Sequence, residues 1–578
     1  MRLVWLLLAL PSAAASPLLV AVAPDLPGTG PGDEGLAIGG EPGFDLDGWT
    51  LTDGEGVVAL PSGTTIPAAG ELWLTGNLSS WSAHDGPNAL GWSSWSDGKF
   101  LLANDGDGIQ LRAPSGAIVD AFAWGDNVVE GMSGAVSHAS PGLVYERLGT
   151  VGAWTDTDRA EDWITPRAHR IGESDLDRPT WDVAQVTLYA SPDSSFDVLS
   201  SLIGGARQRL HVHVYEFTSA ALADRIVAAK RDHPSLDIAV AVQQSPVGFT
   251  TPERHATADA LLRIAQAGGT VSLLGAGRYD DHHLKVLVAD DAVAVQSENW
   301  VPTGVPEDSS WGNRGWGAVL WDKRAADWFD AWMTADRAAW DSVPFSLHDF
   351  DPLFSAPARA PARSGGYGPI VSPKVIGPAH VMPVIAPDHT ANPATDPVCQ
   401  LVASAKRAID AEQLDLSVAA RNPLGWRQED CLLSGLARAA NAGVAVRVLG
   451  AQPFSADDAG VADALAWLAA HAPSVHSAQL DRPGIATLHN KGLVVDDTVV
   501  VGSMNGNHHS RSANREADLI IESPEAAAYF RSLFEGDWAG TSEQPRHVRT
   551  PMDDLRGIPA PVPTLFVAAL VAWVSRRR

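Results

Sequence analysis

The chain has very little cysteine and very little lysine. Two cysteines, Cys399 and Cys431, occur in 578 residues. Two thiols are too few for a disulfide-built scaffold, and no Cys/His set has zinc-site spacing. The fold must rest on apolar cores, and this length calls for two to four domains. Lysine occurs seven times among 41 basic residues, against 69 acidic ones, so the net charge is −28. Such a surface repels polyanions and speaks against a basic face that grips long nucleic acid. The deficit is uneven, since residues 16–183 hold 25 Asp and Glu against 7 Lys and Arg. Long apolar runs are confined to the two ends. Arg2, the run Leu3 to Leu10 and Ala13-Ala14-Ala15 before Ser16 read as an export signal over residues 1–15. Eight apolar residues are too few to span a bilayer. Residues 541–557 read as a linker to an apolar tail, 558–578, that ends in Arg576-Arg577-Arg578. That tail is expected either to attach the chain to a membrane or to pack loosely as a terminal element. An even cysteine count in an exported chain permits a disulfide, and two buried free thiols are the alternative.

Gly, Pro, Asp and Asn punctuate short apolar runs across residues 17–150, which predicts an all-β sandwich. The stretches DLDGWTLTD, TIPAAGELWLTG, FLLANDGDGIQLRAPSG and IVDAFAWGD resemble the lamin-tail domain, an immunoglobulin-like sandwich. The resemblance implies an accessory or binding role. Trp81, Trp92 and Trp95 are read as packing residues, with a polymer-binding face as the alternative.

Residues 151–183 read as a linker, and an α/β pattern begins near Val186. Strand and helix signals over 184–355 recur in the same order over 381–540. The Pro-, Ala- and Gly-rich stretch 356–380 reads as the linker between them.

Each copy ends in the same short segment. His283-Leu284-Lys285 is followed by Asp290 and Gln296-Ser297-Glu298-Asn299; His489-Asn490-Lys491 is followed by Asp496 and Gly502-Ser503-Met504-Asn505. The His, Lys, Asp, Ser and Asn fall in one register. Each segment fits a β-hairpin, with Asp290 or Asp496 at the turn. His and Lys two residues apart on a strand share a face, as do Ser and Asn. Two of only seven lysines at these places make a chance match improbable. Incidental surface residues on a duplicated hairpin are the plain alternative. Chemically, one imidazole can attack phosphorus while the other protonates the departing oxygen. The cations and small hydrogen-bonders suit the charge that develops at a phosphodiester.

These motifs resemble the phospholipase D superfamily. The resemblance covers residues 184–540 and implies a duplicated α/β fold of two pseudo-symmetric halves with the site at their interface. It also implies metal-independent hydrolysis through a phosphohistidine, with no cofactor. Its site residues map onto His283, Lys285, Asp290, Ser297, Asn299, His489, Lys491, Asp496, Ser503 and Asn505. Glu516, in Asn514-Arg515-Glu516, matches a family acid that orients the motif histidine. The first copy reads Asn313-Arg314-Gly315 and has no such acid there; Glu307 and Asp308 in the preceding insertion are candidates to substitute, which the sequence leaves open. Family pattern points to His283 as nucleophile, whereas the placement of Glu516 in the second copy points to His489. His282 and the pair His508-His509 are expected as rim residues, and Tyr215-Glu216 and Glu412-Gln413 as equivalent strand ends beside the pocket. Expected partners are a phosphodiester, phospholipid first and nucleic acid second, and no obligate protein. An exported phospholipase, an extracellular endonuclease and a surface-binding protein with a degenerate half remain open.

Overall fold

A computed structural model describes residues 16–27, 33–138, 141–163, 169–358, 362–421, 427–452, 460–539 and 541. The export signal and the apolar tail lie outside the described residues. Among those described, no helix is long and apolar enough to cross a membrane.

The N-terminal region is built of two sheets. One has six strands, from His169–Arg170 at one edge to Ala89–Gly91 at the other; the second has four, Val57–Ala59, Thr50–Thr52, Gly108–Arg112 and Ile118–Ala123. Leu36, Ile38 and Leu74 of the first sheet meet Leu51, Ile109 and Leu111 of the second in one core. Trp81 and Trp92 are buried and Trp95 packs on that core, so the three indoles do not make an open binding face.

Beyond it, two larger sheets face each other. The first runs Thr270–Leu274, Asp237–Gln243, Arg209–Val214, Lys285–Ala289, Ala292–Gln296, Gly312–Trp321, Val186–Ser191. The second repeats that order with His476–Gln479, Ala445–Gly450, Ala408–Gln413, Leu493–Val495, Thr498–Gly502, Glu516–Glu522, Ala379–Ala386. Val286, Val288, Val293 and Val295 pack against Val494, Val499 and Val501 in a shared core with Phe329 and Phe530 of the helices Lys323–Ala338 and Pro524–Trp538. The alternate residues Leu287, Ala289 and Ala294 bury into a second core under the outer helices. Burial on both faces explains why these strands are continuous apolar runs.

Of the three stretches read as linkers, 542–557 lies outside the described residues, and neither 151–183 nor 356–380 is a free spacer. Trp181–Val183 precedes the first sheet but pairs with Ala379–Ala386 of the second. Lys374–Ile376 precedes the second sheet but pairs with Val186–Ser191 of the first. The two sheets thus exchange edge strands. Cys399 and Cys431 are bonded to each other, joining the helices Pro397–Ser404 and Cys431–Asn441.

Candidate active site

Each motif histidine is suspended from the other sheet. His283 N–H donates to the Arg515 carbonyl and His489 N–H to the Arg314 carbonyl, both at 2.9 Å. The two arginines are fully buried. Arg314 is held by Asp193 (2.7 Å) and by Asp537 (2.5 Å) of the opposite half. Arg515 is held by Asp388 (2.7 Å) and by Asp336 (3.0 Å) of the opposite half. Buried guanidinium groups need such fixed carboxylate partners. The pairs set the backbone from which both imidazoles project.

His283 Nδ1–H donates to both oxygens of Glu516, each at 2.9 Å. Glu516 also accepts from Ser503 Oγ (2.6 Å) and Asn514 Nδ2 (3.1 Å). Burial alone would push its pKa up, but His283, Lys285 and Ser503 hold it below the ordinary carboxylate value. An ionised acceptor requires the Nδ1–H tautomer and leaves Nε2 with a free lone pair. Burial lowers the His283 pKa to about 4 against the pull of Glu516. The expectation that Glu516 serves His489 is therefore corrected: it serves His283. The sheet pairing gives the reason, because Glu516 starts the strand whose preceding residue carries the His283 backbone.

His489 has a different environment. Its Nδ1–H donates to the Ser297 carbonyl at 3.0 Å, with Glu298 Oε2 3.5 Å away. Glu298 is buried and accepts from Asn313 Nδ2 at 3.1 Å. Burial, then Lys491, lowers the His489 pKa. Glu298 is thus the first-copy acid, and neither Glu307 nor Asp308 fills that role. Glu307 is exposed, and Asp308 accepts from Ser310 N–H within its own loop. Glu298 sits inside the motif, where the second copy has Met504, so no repeated spacing marks it. Gly315 was the available signal, since a glycine opposite it leaves room for a carboxylate.

Lys285 and Lys491 are buried beside their histidines. Lys285 Nζ donates to the His283 carbonyl, and Lys491 Nζ donates to the His489 carbonyl at 2.6 Å. Burial lowers Lys285 to about 7 and Lys491 to about 8. The charges acting on Lys285 include Glu516, Lys491, Glu216 and Glu298, so residues of both motifs converge on one place. The Tyr215 ring packs edge-on against His283, with centroids 4.8 Å apart, and under the Lys285 ammonium.

Other expected members are placed differently. Asp290 and Asp496 are at the far ends of the hairpins, outside the site. Asp290 accepts from the N–H groups of Arg207, Gln208 and Arg209 at 2.7–3.1 Å, and Asp496 from Lys406, Arg407 and Ala408 at 2.8–3.0 Å. Both have positive φ, 49° and 52°, so each is a turn residue that ties its hairpin to the neighbouring strand. Ser297 and Ser503 lie at the site, but their hydroxyls are committed. Ser297 Oγ accepts from Trp316 N–H, and Ser503 Oγ accepts from Ala517 N–H while donating to Glu516. Asn299 and Asn505 keep amide oxygens with no hydrogen bond among the described residues. His282 is buried, not on the rim, whereas His509 is exposed with Nδ1 3.7 Å from Asp280. Strand register places Asp415, not Glu412-Gln413, opposite Glu216 in the repeat. Glu412 is buried and accepts from Asn490 Nδ2.

Residues 398–538 match the family model described as cardiolipin synthase, PLD-like domain. No curated protein sequence matches. Among solved structures, phosphatidylserine synthase of Haemophilus influenzae is 13% identical with a TM-score of 0.46, over 64% of this chain and 89% of that one. The phospholipase D family member Nuc of Salmonella typhimurium is 19% identical with a TM-score of 0.24, over 29% of this chain and 99% of that one. Both likenesses are distant. The match over residues 398–538, which contains the second His-x-Lys motif, its hairpin and Glu516, establishes that this chain carries a phospholipase D-like domain.

Proposed function

We propose that the protein is an exported phosphodiesterase of phospholipase D type that cleaves phospholipid through a phosphohistidine. The observation that carries this reading is the symmetric Glu516 contact on His283 Nδ1, which frees Nε2 for attack. In the first step His283 Nε2 bonds phosphorus, and the alcohol leaves with a proton from His489. In the second, His489 takes a proton from water, whose oxygen displaces His283. The Lys285 and Lys491 ammonium groups and the Asn299 and Asn505 side-chain N–H groups are assigned to the non-bridging oxygens, while Ser297 and Ser503 orient their neighbours. Two ammonium groups beside the imidazoles disfavour a divalent cation there, so the chemistry is assigned to protein groups. The same reading takes the two large sheets as pseudo-symmetric halves, the N-terminal sheets as a lamin-tail-like accessory domain, and residues 558–578 as a membrane attachment.

Phospholipid is favoured over nucleic acid by charge. Glu216, Asp281 and Asp415 are all half-buried. Glu216 is felt by both lysines, Asp281 by Glu516, and Asp415 by Lys491. A mouth with three carboxylates repels a polyanion more than a lone phosphodiester. The test is a product assay on phosphatidylcholine and single-stranded DNA side by side, with and without chelator. Choline release that survives chelator is expected, and loss of it in both His283→Ala and His489→Ala. Degradation of DNA alone would replace phospholipase by nuclease, and full activity in either variant would sink the mechanism.

A further inference from the structure

The segment that joins the N-terminal sheets to the first large sheet reaches the loop that carries His283. His169–Arg170 is the edge strand of the six-stranded N-terminal sheet, paired with Leu143 and Val144. From that edge, Arg170 forms an ion pair with Asp280, three residues before His283. Its other terminal nitrogen donates to the Gly277 carbonyl at 3.4 Å. Four residues on, Ser174 N–H donates to Tyr279 Oη (3.2 Å) and Ser174 Oγ donates to Asp388 (2.8 Å). Gly172 between them has φ +77°, and a Cβ there would meet the His84 carbonyl at 2.8 Å. Only a glycine lets the segment pass this close.

The loop is held from its other side by the second half. Asp280 N–H donates to the Ala513 carbonyl, the Asp281 carbonyl accepts from Arg515 N–H, and His283 N–H donates to the Arg515 carbonyl. Apolar packing supplies part of the joint, with Trp340 against the cluster that holds Trp81, Val144 and Ile171 and its ring 4.7 Å from that of His84. A cavity of about 460 Å³ lies beside the segment, between Trp73 of the N-terminal sheet and Pro387 of the second half. The contacts from the segment to the Gly277–His283 loop itself are the polar ones of Arg170 and Ser174. Without Arg170, Asp280 would lie beside Asp281 with the His509 imidazole 3.7 Å away.

We propose that Arg170 is a positioning residue, through which the N-terminal domain holds the Gly277–His283 loop and fixes the direction of the His283 imidazole. The inference rests on the reading of His283 as nucleophile for its kinetic consequence, but not for its structural one. It makes the N-terminal domain part of the catalytic architecture.

The test compares full-length wild type with Arg170→Ala, Arg170→Lys and the control Arg178→Ala, which lies in the same segment away from the loop. Amide exchange of residues 277–283 and hydrolysis of bis(4-nitrophenyl) phosphate are both read. In Arg170→Ala, exchange in the loop should speed up about tenfold, and kcat should fall at least about fivefold with KM within about twofold. Arg170→Lys should recover most of both, and Arg178→Ala should change neither. Asp280→Asn removes the same pair from the loop side and serves if Arg170→Ala does not fold. Unchanged exchange at 277–283, or equal effects in the control, would overturn the proposal. If wild type hydrolyses no phosphodiester, the exchange result still decides the strut, and only the reading of the reaction fails.

Discussion

Gly315 and Glu516 occupy equivalent places, opposite Ser191 and Ala386 in the two sheets. A Cβ at Gly315 would come within 2.1 Å of Glu298 Oε1. The glycine and the shifted carboxylate are thus one feature: the acid for the second histidine comes from the motif hairpin instead of the following strand. The two imidazoles then differ in strength of support. His283 has a carboxylate at hydrogen-bond distance, and His489 has a carbonyl with a carboxylate behind it. Glu516→Gln should lower kcat by about 10²–10⁴-fold through loss of tautomer and charge, by analogy with other His–carboxylate pairs. Glu298→Gln should cost less, about tenfold, and the pair Glu298→Met with Gly315→Glu should restore part of it; single-turnover rates decide. The pH profile follows from the same environments. As the proposed nucleophile His283 must be neutral, and with its pKa at about 4 it stays neutral above that value. As the proposed general acid His489 must carry a proton, and burial lowers its pKa from 6.5, so the competent fraction falls as pH rises through a value below 6.5. Loss of charge on Lys285 at about 7 deepens the alkaline fall. The optimum of kcat/KM should therefore lie in the acid range, and an optimum above pH 7 would contradict these assignments. The sequence carried His283, Lys285, His489 and Lys491 legibly, because residue type and spacing encode them. It did not carry the partner of each histidine, because a carboxylate from another strand leaves no local spacing to read.

At the scale of elements, the hairpins were legible and their aspartates were misread. A residue repeated in register with catalytic neighbours looks catalytic, yet Asp290 and Asp496 recur because the turn recurs. Each caps three backbone N–H groups where the chain enters the adjacent strand, a task that a short carboxylate does and an alanine cannot. Asp290→Ala should cost about 1 kcal/mol of stability, through loss of the turn's hydrogen bonds and of a residue that tolerates positive φ. Asp290→Asn should cost less, since asparagine tolerates positive φ and keeps one acceptor oxygen. Thermal melts should show this order while the pH profile of hydrolysis stays that of wild type. A loss of kcat without a change in melting temperature would return Asp290 to the catalytic set. The linkers show the opposite failure. Residues 356–380 have a spacer's composition, but Ile370 and Val371 N–H groups donate to Asp193, and Tyr367 Oη lies 2.9 Å from the same carboxylate. Composition reports what a segment could do alone; a buried carboxylate elsewhere in the chain decided what it does here.

At the scale of the molecule, the two large sheets are tied by exchange. Each takes an edge strand that precedes the other, each carries the other's histidine on a carbonyl, and each supplies an aspartate to the other's buried arginine. Asp537 lies under Arg314 and Asp336 under Arg515, at side-chain exposures of 2% or less. Neither half can bury its own arginine with all carboxylates satisfied, so the halves should not fold apart. Arg515→Met tests this most sharply. It fits the volume, but leaves Asp336 with Arg278 and strips Asp388 of its guanidinium. Breaking a buried pair from one side costs about 3–5 kcal/mol. The loss should appear in one cooperative unfolding transition for both sheets, because the pair belongs to both. The Arg515 carbonyl also bonds His283 N–H, so the variant should lose hydrolysis before it loses its fold. Adding Asp388→Asn should recover part of the stability by removing the stranded charge while keeping an acceptor for Ser174, and activity should stay low. Two separate transitions, or recovery of activity together with stability, would show that the exchanged pairs do not join the halves into one catalytic body.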